Sequence, residues 1–475
     1  MLETSASCPV LDWAASGAMA LTGFASGAPL ASPAASFAML QAVLDELAAI
    51  TRRGAGRELC ADPAELIAGR AALMGLTRRG QVSAGGSSRL LQATDGRWCA
   101  VTLSRDADLA AIPALLGVLG LDAGDAGPGV GSGLGELGLG ELGLGEWAAL
   151  GWAAGRRTAA EIVDAAQLLG IPAGLSPGLA AGLAAGLLPG LLPGLLAPPS
   201  SRWPPWTTTR IAAPAGGPSL AGAVVVDLSS MWAGPLCARL LGLAGARVIK
   251  VESLDRPDGA RAGNTAFYDW LHAGHASVTL PFREEAGREV LRALLGAADV
   301  VIEASRPRAL AHLGLAPGMI PHKDGQVWLS MTGYGRAAEG VAFGDDAAVA
   351  GGLVGWAEGG EPVFCADAIA DPLTGVTGAL AVARSLASGG GELIDLPMRT
   401  VAACFASATA PDHGPHEVAP DGRSVTCAAL ERSQAVLPPR APVVAGTAAG
   451  TAARTAASPG ADTEAVIAWL ESAQR

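Results

Sequence analysis

Between Ala223 and Met331, short apolar runs alternate with helix-like segments, and this alternation constrains the fold more than any other feature. Ala223–Leu228 (AVVVDL), Arg247–Glu252 (RVIKVE), Ala276–Leu280 (ASVTL), Asp299–Glu303 (DVVIE) and Val327–Met331 (VWLSM) have the length and β-branched content of buried strands. Leu236–Ala244, opened by Gly234-Pro235, reads as a helix with Pro235 at its first position. Glu284–Ala297 reads as an amphipathic helix. Strands alternating with helices predict βαβ units, a parallel sheet and an α/β fold.

Length and composition set wider bounds. A chain of 475 residues, half of them apolar, predicts two or three domains with a sizeable core. The formal net charge of −12 argues against non-specific nucleic-acid binding. Seven cysteines without C-x-x-C spacing suit a reduced compartment, so a cytoplasmic location is expected. The first residues lack a basic start followed by an apolar run, so no signal peptide is expected. Leu175–Pro199 is long enough to span a bilayer, but five prolines and recurrent glycines mark it as a linker, and no membrane association is expected. The repeat Gly133–Glu146 reads as an expanded loop.

A fainter repeat links the two ends. Sliding the chain by about 333 positions brings Gly27 onto Gly360, Pro29 onto Pro362 and Asp62 onto Asp395. This suggests a duplicated segment, with chance matching in an Ala/Gly-rich chain as the alternative. At that offset Asp371, in ADAIADPLTG, faces Ala38. Ser83–Leu116 reads as a glycine turn, a strand and a helix, and Thr158–Gly170 as a helix opened by a Thr158/Glu161 capping box.

The turn DLSSMWAGP (Asp227–Pro235) lacks the G-x-G-x-x-G dinucleotide fingerprint. VVVDLSSMWAGPLCARLLGLAGARVIKVES, which contains it, resembles the opening of the family III CoA-transferases, the group of formyl-CoA and carnitine CoA-transferases and alpha-methylacyl-CoA racemase. RPDGAR, FYDWLHAGHASVTL, GREVLRALLGAADVVIEASRPRALAHLGL, VWLSMTGYG and ADAIADPLTGVTGALAVARSLASGGGELIDLPM follow in the family's order, over about Leu220 to Phe405. WAASGAMALTG, AGGSSRLLQATDGRWCAVTL and TAAEIVDAAQLLGIPAG resemble later family segments yet precede this block, so the segment order is rearranged. The implied organisation is a small-domain-like half (1–174) with a degenerate repeat of the family's later segments, a linker (175–219), a Rossmann-like CoA-binding domain with the catalytic Asp (220–405), and a variable, partly disordered tail (406–475). The implied fold is a Rossmann-like parallel sheet with a smaller α+β domain.

The resemblance also implies a chemistry. A family carboxylate, matched here by Asp371, attacks an acyl-CoA to form a mixed anhydride; CoA thiolate then gives an aspartyl-CoA thioester, and an acceptor acid reverses the steps. By itself D-P would suggest only a helix N-cap at Asp371. CoA-binding positions fall on Ser230, Met231, Trp232 and Ala233, on Arg306, Arg308, His312 and Leu313, and on Tyr334. Gly85 and Gly86 match a glycine loop whose N–H groups would steady an oxyanion. The expected substrates are acyl-CoA and a carboxylic acid, with no permanently bound cofactor, and the resemblance implies a homodimer.

Two alternatives stand beside acyl transfer. Racemase members pair the Asp with a His, where this chain has Asp345 in AFGDDAAVAGG; the departure favours transfer, and Asp345 and Asp346 read as exposed loop carboxylates. A non-catalytic CoA-binding or scaffold protein is the other. His413 and His416 (HGPHE) lack H-E-x-x-H spacing in a Gly/Pro setting, so no metal is expected. His272 and His275 read as structural.

Overall fold

The computed structural model describes residues 8–32, 34–55, 58–122, 144–178, 201–216, 220–409, 412–442 and 455–473. Most of the Gly133–Glu146 repeat and of the Leu175–Pro199 run lies outside them. Among the described residues no helix is long and apolar enough to cross a membrane.

Three strands from the first part of the chain, β1 (Ser88–Gln92), β2 (Trp98–Thr102) and β3 (Ala173–Leu175), form an antiparallel sheet. Helices Ile112–Val118, Leu144–Ala154 and Ala159–Leu168 share a core with it. The last of these carries the expected capping box, Thr158 with Glu161.

The main sheet follows: β4 (Thr207–Arg210), β5 (Val224–Asp227), β6 (Arg247–Ser253), β7 (Ala276–Leu280), β8 (Val300–Glu303) and β9 (Val327–Thr332). A hairpin of β10 (Val354–Trp356) and β11 (Pro362–Phe364) precedes β12 (Glu392–Pro397), which completes the main sheet. Its order is β4-β12-β9-β8-β5-β6-β7, and all neighbours are parallel except the edge pair β4 and β12. All five strands expected between Ala223 and Met331 are present within a residue of their expected ends. Pro235 is instead the third residue of its helix, Ala233–Leu243.

The period of two along each strand assigns the faces. Val225, Val248, Ile302 and Leu329 face helices Ala233–Leu243 and Ala370–Ala387, together with the N-terminal helices Ser36–Ala55 and Pro63–Met74. Val226, Ile249, Val301 and Trp328 face helix Glu285–Ala297 and the C-terminal helix Thr463–Ala473. The sheet is thus covered on both sides, which explains the apolar runs of its central strands β5 and β8. A Cβ on Gly375 would lie 2.7 Å from the Ala233 carbonyl, so glycine lets helix Ala370–Ala387 approach helix Ala233–Leu243 closely.

From β5 the chain runs outward through β6 and β7, then returns to place β8 on the other side of β5. The crevice beyond the carboxyl ends of β5 and β8 is a topological switch point, where open α/β sheets hold ligands.

Candidate active site

Asp371 is the second residue of helix Ala370–Ala387, most of which is buried. A helix N-terminus favours negative charge. Burial works the other way and pushes the Asp371 carboxyl up to about 7; Arg70 pulls it down, Asp345 and Asp367 push it up, and the Gly344 N–H pulls it down. Any Cβ at Gly344 would collide with Asp371 Oδ2 and the Ala368 carbonyl, so this contact requires glycine.

Arg70 arrives from helix Pro63–Met74, distant in sequence. It donates to Asp367 Oδ1 at 2.7 Å, where Asp367 is almost fully buried. Its guanidinium lies 5.4 Å from the Trp232 ring and 5.7 Å from the Phe267 ring. One cation thereby touches both the carboxylate cluster and the loop after β5. Burial raises Asp367 to about 6; Arg70 opposes this and Asp345 adds to it.

Asp345 and Asp346 are buried at the start of helix Gly344–Gly351, which corrects the expectation of exposed loop carboxylates. AFGDD looks like a turn locally, but β1 and β2 pack over it. Ser88 Oγ donates to Asp345 Oδ2 at 2.9 Å, Thr102 Oγ1 lies 2.8 Å from Asp346 Oδ1, and the two hydroxyls are 2.9 Å apart. The three contacts between these four oxygens need three hydrogens, and the hydroxyls supply two. The third belongs to one of the carboxyls. Accordingly, burial raises Asp345 and pushes Asp346 up to about 8.

This gives a pH prediction. An acid whose folded pKa is raised adds stability below its unfolded value, and that stability is lost as pH rises toward the folded value. Asp346→Asn removes this loss. From pH 5 to 8 the wild type should therefore lose on the order of 3 kcal/mol more stability than the variant. Urea unfolding at the two pH values reads the difference, and parallel pH dependences would refute it.

The loop after β5 is held from below. Ser229 N donates to Asp227 Oδ1 at 2.9 Å, Met231 N donates to Asp258 Oδ1 at 3.0 Å, and buried Lys250 donates to Asp258 Oδ2 at 2.9 Å and to the Ser229 carbonyl. Ser230 and Met231 are exposed, Met231 at a positive φ of 74°, whereas Trp232 and Ala233 are buried. Trp232 stands edge-on to Phe267 at 5.4 Å.

The other sequence-predicted positions divide. Half-buried Arg306 donates to the Gly170 carbonyl at 3.3 Å, and exposed Arg308 pairs with Glu339 at 2.7 Å. His312 is exposed and Leu313 half-buried at the end of helix Pro307–His312. Tyr334 is buried, and its hydroxyl donates to the Ala173 carbonyl at 2.6 Å. Gly85 is exposed, and a Cβ there would lie 3.6 Å from an Arg70 nitrogen. Gly86 N donates to the Ser83 carbonyl at 2.8 Å, which commits that N–H to a turn. The structure therefore gathers Asp371, Trp232 and Gly85 around Arg70, while Tyr334 and Arg306 bond to backbone around β3. His272 and His275 are buried, and burial pushes His275 down to about 3.

Sequence reasoning missed Arg70, Asp367, Ser88 and Thr102. Arg70 did carry a signal, as a lone cation in the apolar run LIAGRAALM.

Residues 220–433 match the family model of CoA-transferase family III. An acyl-CoA transferase of Fusarium pseudograminearum is 30% identical, over 25% of this chain and 29% of that one. A succinate–glutarate CoA-transferase of Agrobacterium fabrum is 28% identical, over 39% of this chain and 52% of that one. Human alpha-methylacyl-CoA racemase is 32% identical, over 25% of this chain and 29% of its own. A solved structure of a CAIB/BAIF family protein from Brucella suis matches at 30% identity and a TM-score of 0.35, over 39% of this chain and 54% of that one. The chain spans from under a third to about half of these relatives' lengths. Within the matched segment the resemblance read from the sequence is borne out.

Proposed function

We propose that this chain, whose residues 220–433 carry the CoA-transferase family III segment, moves CoA between an acyl-CoA and a carboxylic acid, with Asp371 as the nucleophile. The observation that carries the reading is a carboxyl at a helix N-terminus that burial raises to about 7. Such a group is more basic than an ordinary carboxylate yet substantially ionised at neutral pH. The attacking oxygen displaces CoA thiolate from the thioester to form an anhydride; the thiolate then attacks the Asp371 carbonyl and releases the first acid. The loop Ser230–Ala233 at the switch point would receive CoA. The Trp232 indole N–H, buried with no partner among the described residues, is a donor available there. A homodimer remains part of the proposal.

A second reading, an acyl-CoA racemase, draws on buried Asp345, which acts electrostatically on Asp371. It is disfavoured because Asp345 already accepts from Ser88 and from Ala368 N. Incubation with pairs of acyl-CoA and free acid, run in heavy water, separates the readings. Acyl transfer predicts CoA appearing on the second acid with no deuterium at the α-carbon. Deuterium uptake without an acceptor acid would replace it by the racemase reading.

A further inference from the structure

Three side chains of one late segment, His413, His416 and Cys427, converge with Cys8 from the other end of the chain. Cys8 precedes helix Pro9–Ala15, His413 and His416 lie in the segment after residue 411, and Cys427 ends the middle strand of a small sheet. That sheet comprises β13 (His416–Val418), β14 (Ser424–Cys427) and β15 (Arg432–Ala435). Cys8 Sγ lies 2.9 Å from His416 Nε2, and Cys427 Sγ lies 3.8 Å from His413 Nδ1. All four candidate ligand atoms fall within 4.8 Å of one another. Both cysteines are buried and both histidines half-buried.

We propose that these residues form a closed, structural Cys2His2 zinc site. Zinc–sulfur and zinc–nitrogen bonds of about 2.3 and 2.0 Å in a tetrahedron place the ligand atoms roughly 3.3–3.8 Å apart, inside the spread seen here. Two thiolates with two imidazoles are a soft, tetrahedral donor set that suits zinc and leaves no position for water. Each thiol gives up its proton to solvent as its sulfur binds. The expectation of no metal is therefore replaced: it rested on H-E-x-x-H spacing, which governs two ligands on one helix and is silent on a non-helical His413/His416 pair joined by Cys427 and, through the fold, by Cys8.

The packing gives the ion a task. The strands of this sheet are three or four residues long, and only Val425 and Cys427 are buried among them. A sheet so short has little apolar area to hold it, and small elements of this kind rely on a staple. Helix Pro9–Ala15 lies against β14 and β15, and Leu437 N donates to the Ala14 carbonyl at 2.9 Å. Zinc would pin the first helix to this late sheet, contributing binding free energy to folding.

The full-length protein, purified anaerobically without chelator or metal-affinity resin, should contain about one zinc per chain by elemental analysis. Cobalt exchanged into it should show thiolate-to-metal charge transfer and the strong visible bands of tetrahedral coordination. The pair Cys427→Ser and His416→Gln should lower bound zinc about tenfold, whereas Asp371→Asn should retain it. The wild-type measurements keep the test independent of how well the variants fold. Absence of zinc both as purified and after reconstitution would overturn the proposal, as would a Cys8–Cys427 disulfide seen by mass or full zinc retention in the double variant.

Discussion

Asp371→Asn should lower CoA transfer by at least about a thousandfold, because an amide cannot form the anhydride that the mechanism requires. The loss should appear in kcat, with CoA binding largely preserved, since the loop Ser230–Ala233 is held by Asp227, Lys250 and Asp258 rather than by Asp371. The variant should fold, for it replaces a carboxyl that burial already drives toward neutrality. Asp371→Glu keeps the charge but moves it by about one methylene, and should cost roughly a hundredfold through misplacement. Equal activity of the Asn variant and the wild type would remove Asp371 from the mechanism.

Arg70→Met should have the second largest effect, and two measurements read it. Breaking the Arg70–Asp367 pair leaves a buried carboxylate uncompensated, which costs about 3–5 kcal/mol for fully buried pairs and somewhat less here because Arg70 is partly solvated. The cost should shrink toward pH 5, where Asp367, already raised to about 6, takes a proton. Arg70 also lowers Asp371, so its removal raises that carboxyl further. In the wild type kcat/KM should rise with pH through about 7 as Asp371 ionises. In Arg70→Met this rise should move to higher pH, with Arg70→Lys between the two. An unmoved pH profile would confine Arg70 to a structural role.

The α/β architecture was legible because strands buried on both faces are rich in β-branched and apolar residues, as VVVD, VVIE and VWLSMT are; RVIKVES departs from that pattern, and its buried Lys250 and Glu252 are paired with Asp258 and Arg261. Asp371 could be singled out as a candidate because its neighbours in ADPLTG are local. The environment that tunes it was not. Arg70 and Asp367 stand far apart in the chain, and so do Ser88 and Asp345. No periodicity encodes such pairings; they follow from the packing of helix Pro63–Met74 and strands β1 and β2 around the start of helix Ala370–Ala387. Asp345 and Asp346 failed for the same reason, since the polar look of AFGDDAA is answered by hydroxyls that lie far away in sequence. Cys8 and Cys427 come together across almost the whole chain, where spacing rules do not reach.

A duplication at an offset of about 333 positions would require helices to recur at that spacing. Helices Pro9–Ala15, Ser36–Ala55 and Pro63–Met74 fall close to where Gly344–Gly351, Ala370–Ala387 and Met398–Ala406 would project. Helices Ser36–Ala55 and Ala370–Ala387 also pack together, with Ala38 in one where the other has Asp371. The first set carries no carboxylate at that point but supplies Arg70 to the second. Under the proposed mechanism this juxtaposition would give the N-terminal segment a part in tuning Asp371 without a nucleophile of its own.

The most direct test is the intact mass of the protein after incubation with a panel of acyl-CoAs, with and without hydroxylamine. The account predicts an acyl or CoA adduct that hydroxylamine removes and that Asp371→Asn never forms. A protein that binds CoA and transfers it to an acid with no such adduct, or that forms the adduct equally well as Asp371→Asn, would contradict it.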